Sequence, residues 1–251
     1  MNPLKHDGRE MGRHRLKPAA WWAEHFRRDL RRDWRIPWGA APALTAAART
    51  RIAASIADFQ RGESSEARGY LKRSAQHSAR VGDRNFHLAS LRFVEAENAH
   101  ADLLRRFMQR AGIPLRPAFF TDGAFRWLRR LGDLGWASRV ILIAELVAQE
   151  YYPCLRVATN HPVLVRICDQ IISEEAAHIR FQLERIVAVE TVHRASTIAG
   201  RDRLQTLLMH GTALIVFAGH HRVLRSRQTF GEFVARLERR HRRALVTLRL
   251  L

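Results

Sequence analysis

The sequence predicts an all-α fold, a four-helix bundle with further helices before and after it. Apolar side chains recur at helical spacing through most of the 251 residues, and no strand-like alternation of any length appears. The chain also contains an internal repeat with an offset of about 80 residues. Each copy has a carboxylate and, about 30 residues later, a Glu-x-x-His string, a separation that fits one helical hairpin. Two such hairpins supply the four helices of a bundle.

The first unit, residues 1–44, is predicted to be a basic tail followed by one short helix. Residues 1–17 are polar and charged. Within residues 18–35, Trp22 and Phe26 stand one helical turn apart, which favours a short helix packed on the outside of the bundle.

The bundle itself is predicted for residues 45–195, and two C-terminal helices packed on it for residues 196–251. Gly82 and Asn160 mark the turns of the two hairpins. The long connection over 115–136 allows the chain to run back along the bundle between them. The expected helices are 45–80, 85–110, 138–159, 163–193, 201–226 and 229–249.

The surface is expected to be strongly basic, because the net charge is +19 and all but three of the 43 basic residues are arginine. A positive surface could attract nucleic acid or an anionic membrane. The arginines are scattered over almost every predicted helix, however, and accompany no recognised nucleic-acid-binding motif. A solvated basic surface is therefore preferred over either partner.

The compartment is predicted from the cysteines and the N-terminus. Cys154 and Cys168 lie in apolar helical surroundings without the spacing of a zinc site, which indicates buried free thiols. The N-terminal residues contain no apolar secretory segment. Both features predict a cytoplasmic protein.

The chemistry is expected at the two Glu-x-x-His strings, Glu97 to His100 and Glu175 to His178. Residues three apart on a helix point the same way, so each pair can bind one metal ion from one helix face. Both pairs continue an apolar stripe and therefore point into the core, where an ionised carboxylate is costly without compensation. In the second copy, the preceding carboxylate is Glu145.

The first copy offers two preceding carboxylates, Glu63 and Glu66, on one helix face. Symmetry of the hairpin about its turn favours Glu66. A tyrosine seven residues downstream favours Glu63, because Tyr70 follows Glu63 as Tyr152 follows Glu145. Both carboxylates are therefore retained as candidate metal ligands. The two tyrosines are either catalytic candidates near the metals or packed core residues.

Two divalent cations would neutralise four carboxylates and two imidazoles that converge in a core. Oxygen and nitrogen ligands suit iron or manganese, including a mixed pair. The alternative is a set of core carboxylates paired with arginines. The predicted metal ligands are Glu63, Glu66, Glu97, His100, Glu145, Glu175 and His178.

Two other Glu-x-x-His strings are interpreted as coincidental. Glu190, the start of one string, lies fifteen residues beyond Glu175, roughly 22 Å further along the helix. Glu238 and His241 stand among arginines, which is typical of a solvated face.

The ligand pattern over about residues 48–195 resembles the ferritin-like superfamily of dinuclear-iron carboxylate proteins. The segment from Gly62 to Tyr70 is similar to a ligand helix of the rubrerythrins, in which the Glu after the Gly is the ligand, here Glu63. The rubredoxin-like cysteine module of rubrerythrins is absent. The resemblance implies two iron ions that act together on dioxygen or peroxide, and an oxidoreductase with an unknown small-molecule substrate, with a homodimer as a possible assembly. The alternative from the same resemblance is a non-catalytic protein of iron handling.

Overall fold

The computed structural model describes residues 16–39, 43–64, 67–116, 128 and 131–251, and every regular element among them is an α-helix. The all-α prediction is thereby confirmed. None of the described helices combines the length and the apolar character needed to cross a bilayer. The helices are α1 (Ala19–Asp29), α2 (Ala46–Glu63), α3 (Arg68–Val81), α4 (Arg84–Arg110), α5 (Leu134–Thr159), α6 (Pro162–Glu190), α7 (Ala195–Leu224) and α8 (Phe230–Leu250).

Several helix ends follow from local side-chain and backbone chemistry. Asp133 caps α5 by accepting a hydrogen bond from the backbone N–H of Trp136 at 2.9 Å, which explains why this helix begins earlier than predicted. Asn160 adopts a left-handed conformation with φ of 49° and ends α5. Pro162 then occupies the first turn of α6, where its missing N–H is harmless. The hairpin predicted about Asn160 therefore forms.

The single helix predicted for residues 45–80 is wrong, because the structure contains two helices there. α2 ends at Glu63, where the backbone N–H of Ser64 bonds to the carbonyl of Gln60 at 3.3 Å, and α3 begins at Arg68. Gly62 and Ser64 are weak helix formers, which explains why the helix is interrupted at this point. The break leaves Glu63 as the last residue of α2.

Contacts between the helices form a closed ring of four rods. The broken first rod, α2 with α3, contacts both α4 and α5, while α4 contacts α6 and α6 contacts α5 along most of its length. Outside this ring, α1 packs on α4, and α7 and α8 pack on α5. As a result α5 is surrounded by other helices and is buried on nearly all sides.

The core of the ring contains two separate apolar clusters. On α4, Phe93 belongs to one cluster and Leu104 to the other; on α6, Phe181 and Ile171 are divided in the same way. Both Glu-x-x-His strings lie between these positions in the sequence. The carboxylates and histidines therefore form a polar layer between two hydrophobic ones.

A buried arginine network holds α5, α6 and α7 together at some distance from that layer. Arg139 is 1% exposed and donates two hydrogen bonds to the carboxylate of Glu190, at 2.8 and 2.7 Å. It also donates to Asp202 at 2.8 Å and to Gln205 at 2.7 Å. Here a buried carboxylate has the arginine partner that its charge requires.

We expect Arg139→Met to lower the free energy of unfolding by about 3–5 kcal/mol, because Glu190 and Asp202 lose a buried cation. The matched control is Arg105→Met, which removes an exposed pair with Asp102 and is expected to cost about 1 kcal/mol or less. Chemical denaturation of both variants measures the difference. Equal losses in the two variants would contradict the structural role assigned to Arg139.

Candidate metal centre

Six of the seven predicted ligands converge in the polar layer, and each of the four rods contributes at least one. Glu63 comes from the end of α2 and Glu145 from the middle of α5. The remaining four, Glu97 and His100 on α4 with Glu175 and His178 on α6, each present one atom within 4.8 Å of the others. This buried group of glutamates and histidines could bind a metal ion. The seventh predicted ligand, Glu66, lies outside the described residues.

The two Glu-x-x-His strings interlock across the bundle. His178 Nδ1 is 2.6 Å from Glu97 Oε1 of the other string, and His100 Nδ1 is 3.7 Å from Glu175 Oε1. The two imidazole rings are stacked, with centroids 5.3 Å apart. Both histidines thus present Nδ1 to the carboxylates rather than to the bundle surface.

A chain of hydrogen bonds fixes the orientation of His100. Its Nε2 is 2.6 Å from Glu174 Oε2, and the other oxygen of Glu174 accepts a hydrogen bond from the indole of Trp34 at 2.9 Å and from Gln170 at 3.3 Å. A proton on Nε2 leaves Nδ1 with a free lone pair facing the cluster. Sequence analysis missed Trp34, because it lies in a non-helical stretch where no periodicity marks it.

The carboxylates of each hairpin face each other. Glu63 lies against Glu97, and Glu145 against Glu175, in each case at hydrogen-bonding range. The hydroxyl of Tyr152 donates a short hydrogen bond to Glu63 Oε1, which fixes this carboxylate at the end of its helix. Tyr152 therefore lies at the site, as its position seven residues after Glu145 predicts.

None of these four carboxylates forms an ion pair with an arginine or lysine of the described residues, unlike Glu190. With the carboxyl groups ionised, five ligand atoms in this part of the chain also have no hydrogen bond of good geometry: Glu97 Oε1, His100 Nδ1, both oxygens of Glu175 and His178 Nδ1. The 2.6 Å contact between His178 Nδ1 and Glu97 Oε1 is not aligned as a hydrogen bond. Buried polar atoms are rarely left without partners. An oxygen and nitrogen donor set that lacks both donors and countercharges fits divalent iron or manganese.

Burial shifts the acid–base behaviour of the whole cluster. It raises the pKa of Glu63 and of Glu97 to about 8, and the charge of a neighbouring glutamate adds to the effect in each case. Burial also raises the pKa of Glu145, and it raises that of Glu175 well above the usual range. Burial lowers the pKa of His178. Without cations, protons therefore take the place of the missing countercharges.

Three other residues singled out in the sequence, Tyr70, Glu238 and His241, lie away from the carboxylate cluster or outside it. Tyr70 is buried beside Ser90, Ser138 and Gln182, and its hydroxyl forms no hydrogen bond with the described carboxylates of the cluster. Glu238 is partly exposed and pairs with His210 at 2.9 Å, and the prediction of a solvated position for His241 is wrong. His241 is 2% exposed, because α8 turns this side of the helix onto Thr206 of α7.

Without metal, the protein should become less stable as the pH rises from about 6.5 to about 8. Glu63 and Glu97 keep their protons up to about pH 8 when folded but release them near pH 4.5 when unfolded, so the folded state binds more protons in this range. Each such proton makes stability fall by up to about 1.4 kcal/mol per pH unit. Denaturation with a chelator present, at pH 6.5, 7 and 8, measures the slope.

The variant Glu97→Gln should flatten this slope, because it removes one titrating group and its charge on the others. Glu95→Gln, on the same helix but facing solvent beside Arg92, is the matched control and should keep the wild-type slope. An unchanged slope in Glu97→Gln would show that the cluster does not titrate as a buried group.

Models of known protein families, curated proteins and solved structures contain no match to this chain. The assignment of the site therefore depends on this chain alone. A buried cluster of two Glu-x-x-His pairs in an all-helical protein is compatible with a metal centre, including a dinuclear one.

Proposed function

We propose that this chain is a ferritin-like dinuclear metal protein and an oxidoreductase that uses dioxygen or peroxide on a small organic substrate. Two iron ions are the preferred occupants, with manganese or a mixed pair as alternatives. The observation that carries the proposal is a set of four carboxylates that no described arginine or lysine neutralises, of which Glu145 and Glu175 are buried and Glu63 and Glu97 are partly buried. In a chain with 43 basic residues, a structural carboxylate easily finds a cation, as Glu190 does.

The ligand set would use side chains from all four rods of the bundle. Glu63 and Glu145 would each supply a carboxylate, and the two Glu-x-x-His pairs would supply one carboxylate and one Nδ1 each. Carboxylates can bridge two cations, which fits the facing pairs described above. When bound, the iron pair supplies the electron-transfer chemistry that amino-acid side chains lack.

The surrounding residues would orient the site and exclude water. Glu174 and Trp34 set the direction of His100, and Tyr152 holds Glu63. On one side, the rings of Phe26 and Phe93 lie with centroids 5.5 and 5.2 Å from that of His178. Such a dry aromatic wall strengthens electrostatic interactions at a site and limits side reactions with water.

Metal content is the first test of the proposal. We expect about two iron or manganese ions per chain after iron-replete anaerobic preparation, and a loss of metal in Glu97→Ala and in Glu175→Ala, because each removes a ligand. Glu238→Ala is the matched control, since Glu238 starts a Glu-x-x-His string outside the cluster and should keep the metal. Elemental analysis gives the counts, and metal-free wild-type protein would refute the centre.

A second test distinguishes an oxidoreductase from a protein that binds iron without catalysing oxidation of a substrate. An oxidoreductase should continue to consume dioxygen after its bound ferrous ions have been oxidised once. The rate of this continued uptake should depend on added substrate and reductant. A protein of iron handling would consume dioxygen only in proportion to the iron supplied. Oxygen-electrode traces at a series of iron concentrations distinguish the two behaviours.

Weakening the hold on His100 should lower metal affinity without removing a ligand. We expect Glu174→Gln to reduce affinity by about 10–100-fold and Trp34→Phe to reduce it less, because each loosens the orientation of His100. Trp136→Phe is the control, since its indole donates at 3.0 Å to the carbonyl of Leu128, away from the cluster. Competition with a chromophoric chelator measures all three affinities, and unchanged affinity in Glu174→Gln would contradict the assigned role.

A further inference from the structure

A second group of buried polar side chains lies one helical turn beyond the metal cluster. This polar cluster consists of Tyr70 on α3, Ser138 on α5 and Gln182 on α6, and all three are at most 4% exposed. Gln182 follows His178 by four residues, roughly 6 Å along the helix. Phe93 joins the two sites, because its ring centroid is 5.2 Å from that of His178 and 6.3 Å from that of Tyr70.

The members of the polar cluster lie close together but do not satisfy one another. Ser90, Ser138 and Gln182 are all within hydrogen-bonding reach of the Tyr70 hydroxyl, but none of them is aligned with it as a hydrogen bond. Among the described residues, the Tyr70 hydroxyl, the Ser138 hydroxyl and both polar atoms of the Gln182 amide have no hydrogen-bond partner. Leaving so many buried groups without partners is costly. Three helices thus direct unsatisfied polar atoms to one place.

A buried positive charge lies beside this cluster. Arg185 is 4% exposed and one turn beyond Phe181, and its guanidinium group lies over the rings of Phe86 and Phe181. It donates one hydrogen bond of 2.7 Å to the carbonyl of Phe86. No carboxylate of the described residues forms an ion pair with it, in contrast to the buried Arg139.

The chemistry of these groups favours an anion over a neutral ligand. Two hydroxyls and an amide N–H₂ can all donate, and burial raises the pKa of Tyr70, which keeps its proton available for donation. Burial without a counterion lowers the pKa of Arg185 to about 10, so an anion beside it would relieve an electrostatic cost. Water could satisfy the hydroxyls and the amide but not the charge. A carboxylate has two acceptor oxygens and matches a guanidinium group.

We propose that Tyr70, Ser138, Gln182 and Arg185 bind the carboxylate of a small organic acid, one helical turn from the Glu/His cluster. That this acid is the substrate rests on the proposed function. Binding of the carboxylate itself needs only the four side chains and not the metal. The two ideas can therefore fail separately.

The test uses metal-free full-length protein with a chelator in a buffer without carboxylates. Acetate and benzoate are the probes, and acetamide and benzamide are their neutral counterparts of similar shape. Calorimetric titration and thermal melting should show saturable binding and a raised Tm with benzoate, less with acetate, and neither with the amides. Absence of saturable carboxylate binding, or equal binding of the amides, would overturn the proposal.

Two variants connect the binding to these residues. Gln182→Leu should keep or raise the Tm of the ligand-free protein, because it removes an unsatisfied buried amide, while benzoate affinity falls about tenfold or more. Gln228→Leu is the control: its buried amide donates to the carbonyl of Glu150, so Tm should fall and benzoate affinity persist. Arg185→Met should abolish benzoate binding, and Gln182→Leu decides alone if that variant does not fold. Wild-type benzoate affinity in Gln182→Leu would overturn the proposal.

Benzoate binding by a chain that never takes up metal would refute only the proposed function. Metal uptake without benzoate binding would refute only the carboxylate site.

Discussion

The central constraint on this molecule is the free-energy cost of placing four carboxylates and two imidazoles between two apolar clusters. Arginines neutralise other buried carboxylates of the chain, but no described arginine or lysine pairs with these four. Protons can neutralise these groups only if their pKa values stay well above the usual range of a glutamate, as burial makes them. Cations satisfy both the charge and the free lone pairs at once. The surrounding helices hold the ligand atoms close enough for this to occur.

Residues outside the four rods also help to orient the side chains of the Glu/His cluster. The N-terminal segment reaches the site twice, through Trp34 on Glu174 and through Phe26 against the ring of His178. Trp22 of the same segment donates to Glu184 at 2.8 Å and so attaches α1 to α6. These contacts make the segment before the bundle a structural part of the site rather than an appendage.

Periodicity in the sequence predicts much of this arrangement and fails at identifiable places. Glu97, Glu175 and their histidines are found because helical spacing fixes the face on which they lie. Helical spacing also extended the first helix through Ser64, because a pattern of apolar residues does not register a local break. Trp34 and Arg185 make their polar contacts with residues that are distant in the sequence. A single sequence does not indicate which carboxylate or aromatic ring such a residue will contact. Between Glu63 and Glu66, only the first is among the described residues.

The interlocking of the two strings makes the site depend on both hairpins of the chain. Each histidine has its shortest contact with a carboxylate of the other hairpin, His178 with Glu97 and His100 with Glu174. Neither hairpin could therefore assemble the site alone. Because both hairpins belong to one polypeptide, their encounter is intramolecular, and formation of the site does not depend on protein concentration.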